Sequence, residues 1–349
     1  LQRYLSRKAR GITPYQAGEQ PQASGIIKLN TNENPYPPSP ATLDALERFD
    51  GARLRLYPPP DGGELRTAAA QAFGLPESHV FCGNGSDEVL GFAFSAFFDD
   101  DIVFPDITYS FYPVWAAYYG IRYTAVPLCD DFTVPADRMT GADGVVIANP
   151  NAPTGIALPL SGIEQILKLN PNRVVIVDEA YAAFGAQSAV PLIPRYPNLL
   201  VTKSLSKSHA LAGLRVGIAL GQPHLIEGLE RIRDSFNSYP VDMLAQQVGA
   251  AALLDADYYD AIARRIISTR ENTAHALAML GFSVLPSSAN FLFATLPGVS
   301  ALQLKAHLEK NHIYVRHFNQ PRISDYLRIT IGTDEQMAEL LRCIREYKA

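Results

Sequence analysis

Three short segments carry residues that could do chemistry together. The first is Thr202-Lys203-Ser204-Leu205-Ser206-Lys207-Ser208-His209, with Arg215 following shortly after. Hydroxyls and a guanidinium suit a phosphate, and a lysine amine is a nucleophile toward carbonyl groups. A solvated basic loop has the same composition, and for one lysine taken alone that is the usual outcome. The second segment, Val174 to Tyr181, is an apolar run that delivers Asp178 at its end and Tyr181 just beyond. A buried aspartate needs a positive partner or it protonates; a helix cap or a surface carboxylate would satisfy the same pattern. The third is Cys82-Gly83-Asn84-Gly85-Ser86-Asp87-Glu88, leading into an apolar helical stretch. Its glycines permit a tight turn, Ser86 or Asp87 can cap the helix, and free N–H groups at that terminus favour an anion. A plain capped loop explains this segment equally simply.

These segments must be held by a frame. Short apolar runs at Asp101 to Phe104, Arg122 to Val126, Gly144 to Ala148, Arg173 to Val177, Leu199 to Thr202 and Arg215 to Leu220 read as strands. Helical patterns lie between them, including Ser86 to Phe98, Ser110 to Tyr119 and Ser161 to Leu169. Such alternation predicts an α/β fold: a mostly parallel central sheet with helices on both faces. Ligands then collect in the loops after the strands, where the three segments sit. Beyond Pro240 the pattern changes to helices at Val241 to Leu254 and Tyr258 to Leu280, strands at Phe282 to Leu285, Phe291 to Ala294, Ile313 to Arg316 and Leu327 to Ile331, a helix at Ser300 to Lys310 and a last helix. The expected division is an irregular N-terminal arm over 1–27, a large domain over 28–240 and a smaller α+β domain over 241–349.

Composition narrows the classes of partner. The 349 residues carry a formal charge of -5 with acids and bases interspersed, so there is no basic face for nucleic acid and no support for a membrane surface. No apolar run reaches the length of a membrane span, and the first residues lack the apolar core of a signal peptide. Three scattered cysteines (Cys82, Cys129 and Cys343) argue against a disulfide framework or a cysteine zinc site and suit a reducing cytoplasm. The seven histidines show no metal-ligand spacing, so no metal is expected. Trp115, Tyr118, Tyr119 and the Phe92 to Phe98 stretch read as helix packing.

Taken in order, the segments resemble the fold-type I pyridoxal-phosphate aminotransferases, and within them the histidinol-phosphate aminotransferase family. The resemblance runs through Leu29-Asn30-Thr31-Asn32-Glu33-Asn34-Pro35, Leu56-Tyr57-Pro58, Gly83 to Glu88, Thr108 to Tyr112, Asn149 to Gly155, Asp178 to Tyr181, Ser204 to Lys207, Arg215 and Leu327 to Gly332. It implies that pyridoxal 5'-phosphate is the cofactor and that Lys207 bonds its aldehyde and later moves the proton. Asp178 would pair with the pyridine nitrogen, Tyr181 would hydrogen-bond the ring oxygen and Tyr109 would stack on the ring. Ser204, Ser206, Arg215 and the backbone around Gly85, Ser86 and Asp87 would hold the phosphate. Tyr57 would reach the phosphate of a neighbouring subunit, which implies a homodimer with shared sites.

One position departs from the family pattern. An asparagine that hydrogen-bonds the ring oxygen usually precedes Pro-Thr-Gly, and here that place is Ala152. Asn151 or Asn149 would cover the oxygen through a shifted loop, or Tyr181 would do so alone; the expectation adopted is Asn151. For the substrate, Arg328 matches the arginine that takes the carboxylate, and Tyr15 and Arg316 match groups at its far end. A surface ion pair is the plain alternative for Arg316. The implied reaction is transfer of the amino group of L-histidinol phosphate to 2-oxoglutarate, in histidine biosynthesis. An aromatic aminotransferase or a threonine-phosphate decarboxylase on the same fold is the alternative. A ligand-sensing module fused to a DNA-binding domain fits less well, because no helix-turn-helix segment is read.

Overall fold

The computed structural model describes residues 2–15, 18–21, 25–141 and 143–348; residues 1, 16–17, 22–24, 142 and 349 of the expected arm and domains lie outside the described residues. In chain order the strands are β1 (Ile27–Leu29), β2 (Val80–Gly83), β3 (Asp101–Pro105), β4 (Arg122–Val126), β5 (Gly144–Ala148), β6 (Val174–Asp178), β7 (Leu199–Ser204), β8 (Gly217–Gly221), β9 (Ser283–Val284), β10 (Phe291–Thr295), β11 (Ile313–His317) and β12 (Leu327–Thr330). Seven of them form one sheet in the order β2-β8-β7-β6-β5-β3-β4. Pairing is parallel from β7 through β4 and antiparallel on both sides of β8.

Strand residues covered on both faces of a sheet are apolar along the run, as in β5, in β6 up to Asp178 and in β7 up to Val201, whereas edge strand β4 is exposed except at Val126. Val175 and Val177 enter one core with Leu65, Ile163 and Val248, while Ile176 between them enters the other with Val89, Trp115 and Leu225. The first core is closed by helices Gly63–Phe73, Leu160–Leu169 and Met243–Leu254, the second by Ser86–Phe97, Tyr112–Tyr119 and Pro223–Phe236. Trp115 and Phe94 are buried there, as helix packing requires.

The second sheet runs β1-β11-β12-β10-β9 and packs against helices Ala256–Met279, Ala301–Lys310 and Asp334–Lys348 around Leu29, Ile266, Leu304, Ile313 and Leu340. The packing departs from the expected division at three places. Helix Met243–Leu254 lies in the large core through Ala245, Val248 and Leu253, so the core does not change at Pro240. Strand β1 pairs in parallel with β11, which puts residues 27–29 in the small sheet although the sequence pattern assigned 28 onward to the large domain. The expected irregular arm contains helix Arg7–Gly11, capped by Ser6 Oγ accepting from Ala9 N at 3.1 Å. Burial partners far along the chain decide the first two, and no local pattern carries that information.

Candidate active site

The register brings the chemistry to one edge of the large sheet. Ala148 of β5 pairs with Asp178 of β6, Asp178 with Thr202 of β7, Ser204 with Gly217 of β8, and Gly217 with Gly83 of β2. The loops after these strands, the arm and the small sheet enclose a cavity of about 210 Å³. Among the expected site residues Tyr15, Ser86, Asp87, Tyr109, Asp178, Tyr181, Ser204, Ser206, Lys207, Arg215, Arg316 and Arg328 line it.

One end is built for an anion. Helix Ser86–Phe97 starts at Gly85 with no side-chain cap, so its first N–H groups are open to a ligand. Gly85 has φ 86°, and a Cβ there would meet Arg215 Nη2 at 2.5 Å; the missing side chain is what lets the guanidinium lie against the turn. Arg215 Nη1 donates to Ser206 Oγ at 3.4 Å, and Nη2 meets Asp87 Oδ2 at 3.1 Å. Ser204 Oγ accepts from Ser206 N at 3.2 Å.

The opposite wall is a carboxylate. Asp178 is buried; Tyr112 donates to its Oδ2 at 3.0 Å and Thr202 to its Oδ1 at 3.3 Å, and no cationic side chain pairs with it among the described residues. Burial therefore raises its pKa to about 6, against these hydrogen bonds, which lower it. A neighbouring pair holds the same strand ends together. Lys203 Nζ meets Glu179 Oε2 at 2.5 Å and donates to Ser188 Oγ at 3.1 Å, while Ala189 N donates to Glu179 Oε1 at 2.6 Å.

Lys207 sits in the short helix Leu205–Ser208, with its Nζ donating to Thr31 O at 2.9 Å. Burial first, then the Arg328 and Arg215 charges, lower its pKa to about 8, so a neutral amine is accessible near neutral pH. Arg328 is half-buried, with Nη2 donating to Asn30 O at 3.0 Å and its guanidinium 5.4 Å from the centres of both the Phe291 and Phe318 rings. Among the described residues its Nε has no partner, nor do Asn30 Oδ1 and Thr31 Oγ1. Tyr109 donates to Asp87 at 3.0 Å with its ring edge on Tyr112, and Tyr15 stacks on Phe111 at 4.7 Å.

Of the expected residues, Asn151 and Gly85 do not line this cavity, and neither does Tyr57, which was expected to reach a partner's cofactor and not this one. Asn151 does not line the cavity: its Nδ2 donates to Ile107 O (2.9 Å) and Thr154 Oγ1 (3.1 Å), and its Oδ1 accepts from Thr108 Oγ1 (2.9 Å). Both ends of its amide are engaged by Thr154 of its own loop and by Ile107 and Thr108 of the loop after β3, and Ala152 and Pro153 face the cavity instead. Asn149 is likewise closed on Leu158, at 3.1 Å and 2.8 Å. Gly85 lies behind the anion end rather than on the lining. Tyr57 is 80% exposed, away from the cavity, and stacked on Tyr239 at 4.7 Å. Sequence reasoning assigned no role to Asn32, Tyr112, Thr202 or Phe318. Asn32 stood within a quoted motif, but its partners lie too far along the chain for spacing to reveal them.

Taken together, these groups fit pyridoxal phosphate. An uncapped helix terminus with Arg215 and two serines suits its phosphate, an unpaired buried carboxylate suits a cationic ring nitrogen, and a lysine with depressed basicity suits its aldehyde.

Comparison with known proteins agrees with this chemistry. The family model "Aminotransferase class I and II" matches residues 24–344. A histidinol-phosphate aminotransferase of Marinomonas sp. (strain MWYL1) is 53% identical, over 99% of each chain. A putative histidinol-phosphate aminotransferase of Erwinia carotovora atroseptica superposes with a TM-score of 0.86 at 26% identity, covering 95% of this chain and 99% of that one. The Sinorhizobium meliloti histidinol-phosphate aminotransferase, solved in complex with pyridoxal-5'-phosphate, shares the fold with a TM-score of 0.80 at 24% identity, covering 92% of each.

Proposed function

The chain belongs to the class I and II aminotransferase family, pyridoxal-phosphate-dependent transferases, and from that premise we propose that it transfers the amino group of L-histidinol phosphate to 2-oxoglutarate, yielding imidazole acetol phosphate and L-glutamate. The observation that carries the choice of substrate is whole-length likeness to proteins of that name, joined to a cavity with two arginines and a tyrosine beyond the lysine. Arg328 offers its unpartnered Nε and a planar fork to a carboxylate, and Arg316 with Tyr15 stands where a phosphate or a second carboxylate would lie. One site must accept both a phosphorylated amine and glutamate in turn, which points to a ping-pong sequence.

When bound, the cofactor acts as the electron sink that makes the substrate's α-proton removable. The chain's residues do the rest. Asp178, ionised against the ring nitrogen, keeps that nitrogen protonated. Tyr181 lines the cavity where the ring oxygen would lie, with its pKa raised by burial, so its hydroxyl remains a donor at neutral pH. Arg215, Ser204, Ser206 and the Ser86 terminus anchor the phosphate. Tyr109 covers the ring face. With the cofactor bound, Lys207 Nζ would be the base that holds the substrate's α-proton and gives it back.

We also propose a cytoplasmic homodimer in which Tyr57 reaches the partner's phosphate site. Exposed Leu54, Leu56, Tyr57, Phe236 and Tyr239 support such a contact; the cysteines are unpaired, and no described helix is long and apolar enough to cross a membrane. Borohydride reduction and peptide mapping should place the cofactor on Lys207, and histidinol phosphate should convert the bound cofactor to its amine form in a single turnover. Conversion by phenylalanine or tyrosine alone would make this an aromatic aminotransferase. Carbon dioxide release from threonine phosphate, without a keto-acid acceptor, would make it a lyase.

A further inference from the structure

The alanine at position 152 removes a donor that the family pattern supplies, and neither neighbouring asparagine replaces it. A different asparagine contacts the remaining donor. Asn32 is buried, has φ 55°, and lines the cavity beside Tyr181. Its backbone N–H donates to Thr330 Oγ1 at 3.0 Å, and that hydroxyl donates back to Asn32 Oδ1 at 3.0 Å. Asn290 Nδ2 holds the Asn32 carbonyl at 3.0 Å. Thr330 Oγ1 accepts the backbone proton and gives its own to the amide oxygen, and with that donation the amide oxygen faces Thr330 and the nitrogen faces away. The amide nitrogen is then left to donate to Tyr181 Oη at 3.0 Å.

A phenol has one proton to give. With an N–H already directed at the Tyr181 oxygen, turning the hydroxyl proton toward Asn32 would set two donors against each other. The proton is directed into the cavity. We propose that Asn32 is a positioning residue that locks Tyr181 as a hydrogen-bond donor to the cofactor's ring oxygen, so that one donor serves where Ala152 leaves the second missing. The lock is anchored in the small sheet through Thr330 of β12, while Tyr181 follows β6 of the large sheet. Donor direction at the ring therefore depends on how the two sheets are seated.

This inference rests on the proposed cofactor site, and the test separates the two. The holoenzyme is titrated and the pH midpoint of the cofactor's visible absorbance is read for the native protein, Asn32→Asp, Tyr181→Phe and the double variant. A donor at the ring oxygen disperses negative charge and lowers proton affinity beside it, so withdrawing the donor raises the midpoint. In Asn32→Asp the carboxylate takes the Tyr181 proton for itself, and its added charge acts in both backgrounds. The rise should be larger with Tyr181 present than in Tyr181→Phe, by about one pH unit, the scale of one hydrogen bond. Equal rises in the two backgrounds overturn the proposal. Should Asn32→Asp not load cofactor, Asn32→Ala carries the same comparison without a charge, with a smaller difference of the same sign expected and equality again overturning it. If the native protein does not attach the cofactor at Lys207, the site reading itself falls.

Discussion

Replacing Asp178 with asparagine should make the cofactor-free protein more stable while removing its function. The carboxylate is 6% exposed, has no cationic partner among the described residues, and is pushed by burial to a pKa of about 6, well above the usual carboxylate range. A raised acid pKa means the folded protein prefers the protonated form. The stability this group contributes is full below the unfolded pKa and is lost as pH rises through the folded one. A shift of roughly two units corresponds to about 3 kcal/mol. The amide can keep the hydrogen bonds, with its oxygen on Thr202 and its NH₂ toward Tyr112, whose hydroxyl can turn to accept. Urea unfolding of both apo-proteins at about pH 4.5 and about pH 7.5 should show the asparagine variant gaining about 2 kcal/mol on the native protein between them, most of it before pH 6. The same variant, loaded with cofactor, should lose on the order of 100-fold or more in kcat, because a neutral amide cannot hold the ring nitrogen protonated. A stability gap that does not change with pH would refute the claim that this buried charge waits for a cationic partner.

Other consequences follow from the same geometry. Cofactor loading onto the apo-protein should accelerate as pH rises through about 8 and then level, because only neutral Lys207 attacks the aldehyde; stopped-flow absorbance reads the rate, and a pH-independent rate would contradict a depressed lysine. Arg328→Lys should raise KM for glutamate roughly 10- to 100-fold through loss of the planar fork on its carboxylate, with kcat changed less and KM for histidinol phosphate, which has no carboxylate, changed less. Lys203→Met strands the fully buried Glu179 carboxylate and should destabilise the fold by roughly 3–5 kcal/mol, measured by denaturant unfolding.

The sequence pattern determined much of the frame and the chemistry of the loops. Strands at Gly144 to Ala148 and Arg173 to Val177 were legible because short apolar runs bounded by turn residues are strands where a sheet is covered on both faces. Lys207, Asp178 and Arg215 were legible because each stands just beyond or between such runs, where loops carry ligands. What a residue's own neighbours impose can be read along the chain.

Tertiary structure alone decided the rest. Asn151 was expected at the cofactor, yet Ile107 and Thr108 of the loop after β3, with Thr154, take up both ends of its amide. The donor lock falls to Asn32, whose partners Tyr181 and Thr330 come from opposite sheets. Tyr112, to which the sequence assigned no role, is packed in the core, and its hydroxyl holds Asp178. Helix Met243–Leu254 carries apolar residues that would suit either core, and it joined the large one through contact with Leu65 and its neighbours. In each case the deciding energy is a hydrogen bond or a buried surface shared between residues far apart in the chain. Spacing encodes which groups are available; only the packed fold sets which of them meet.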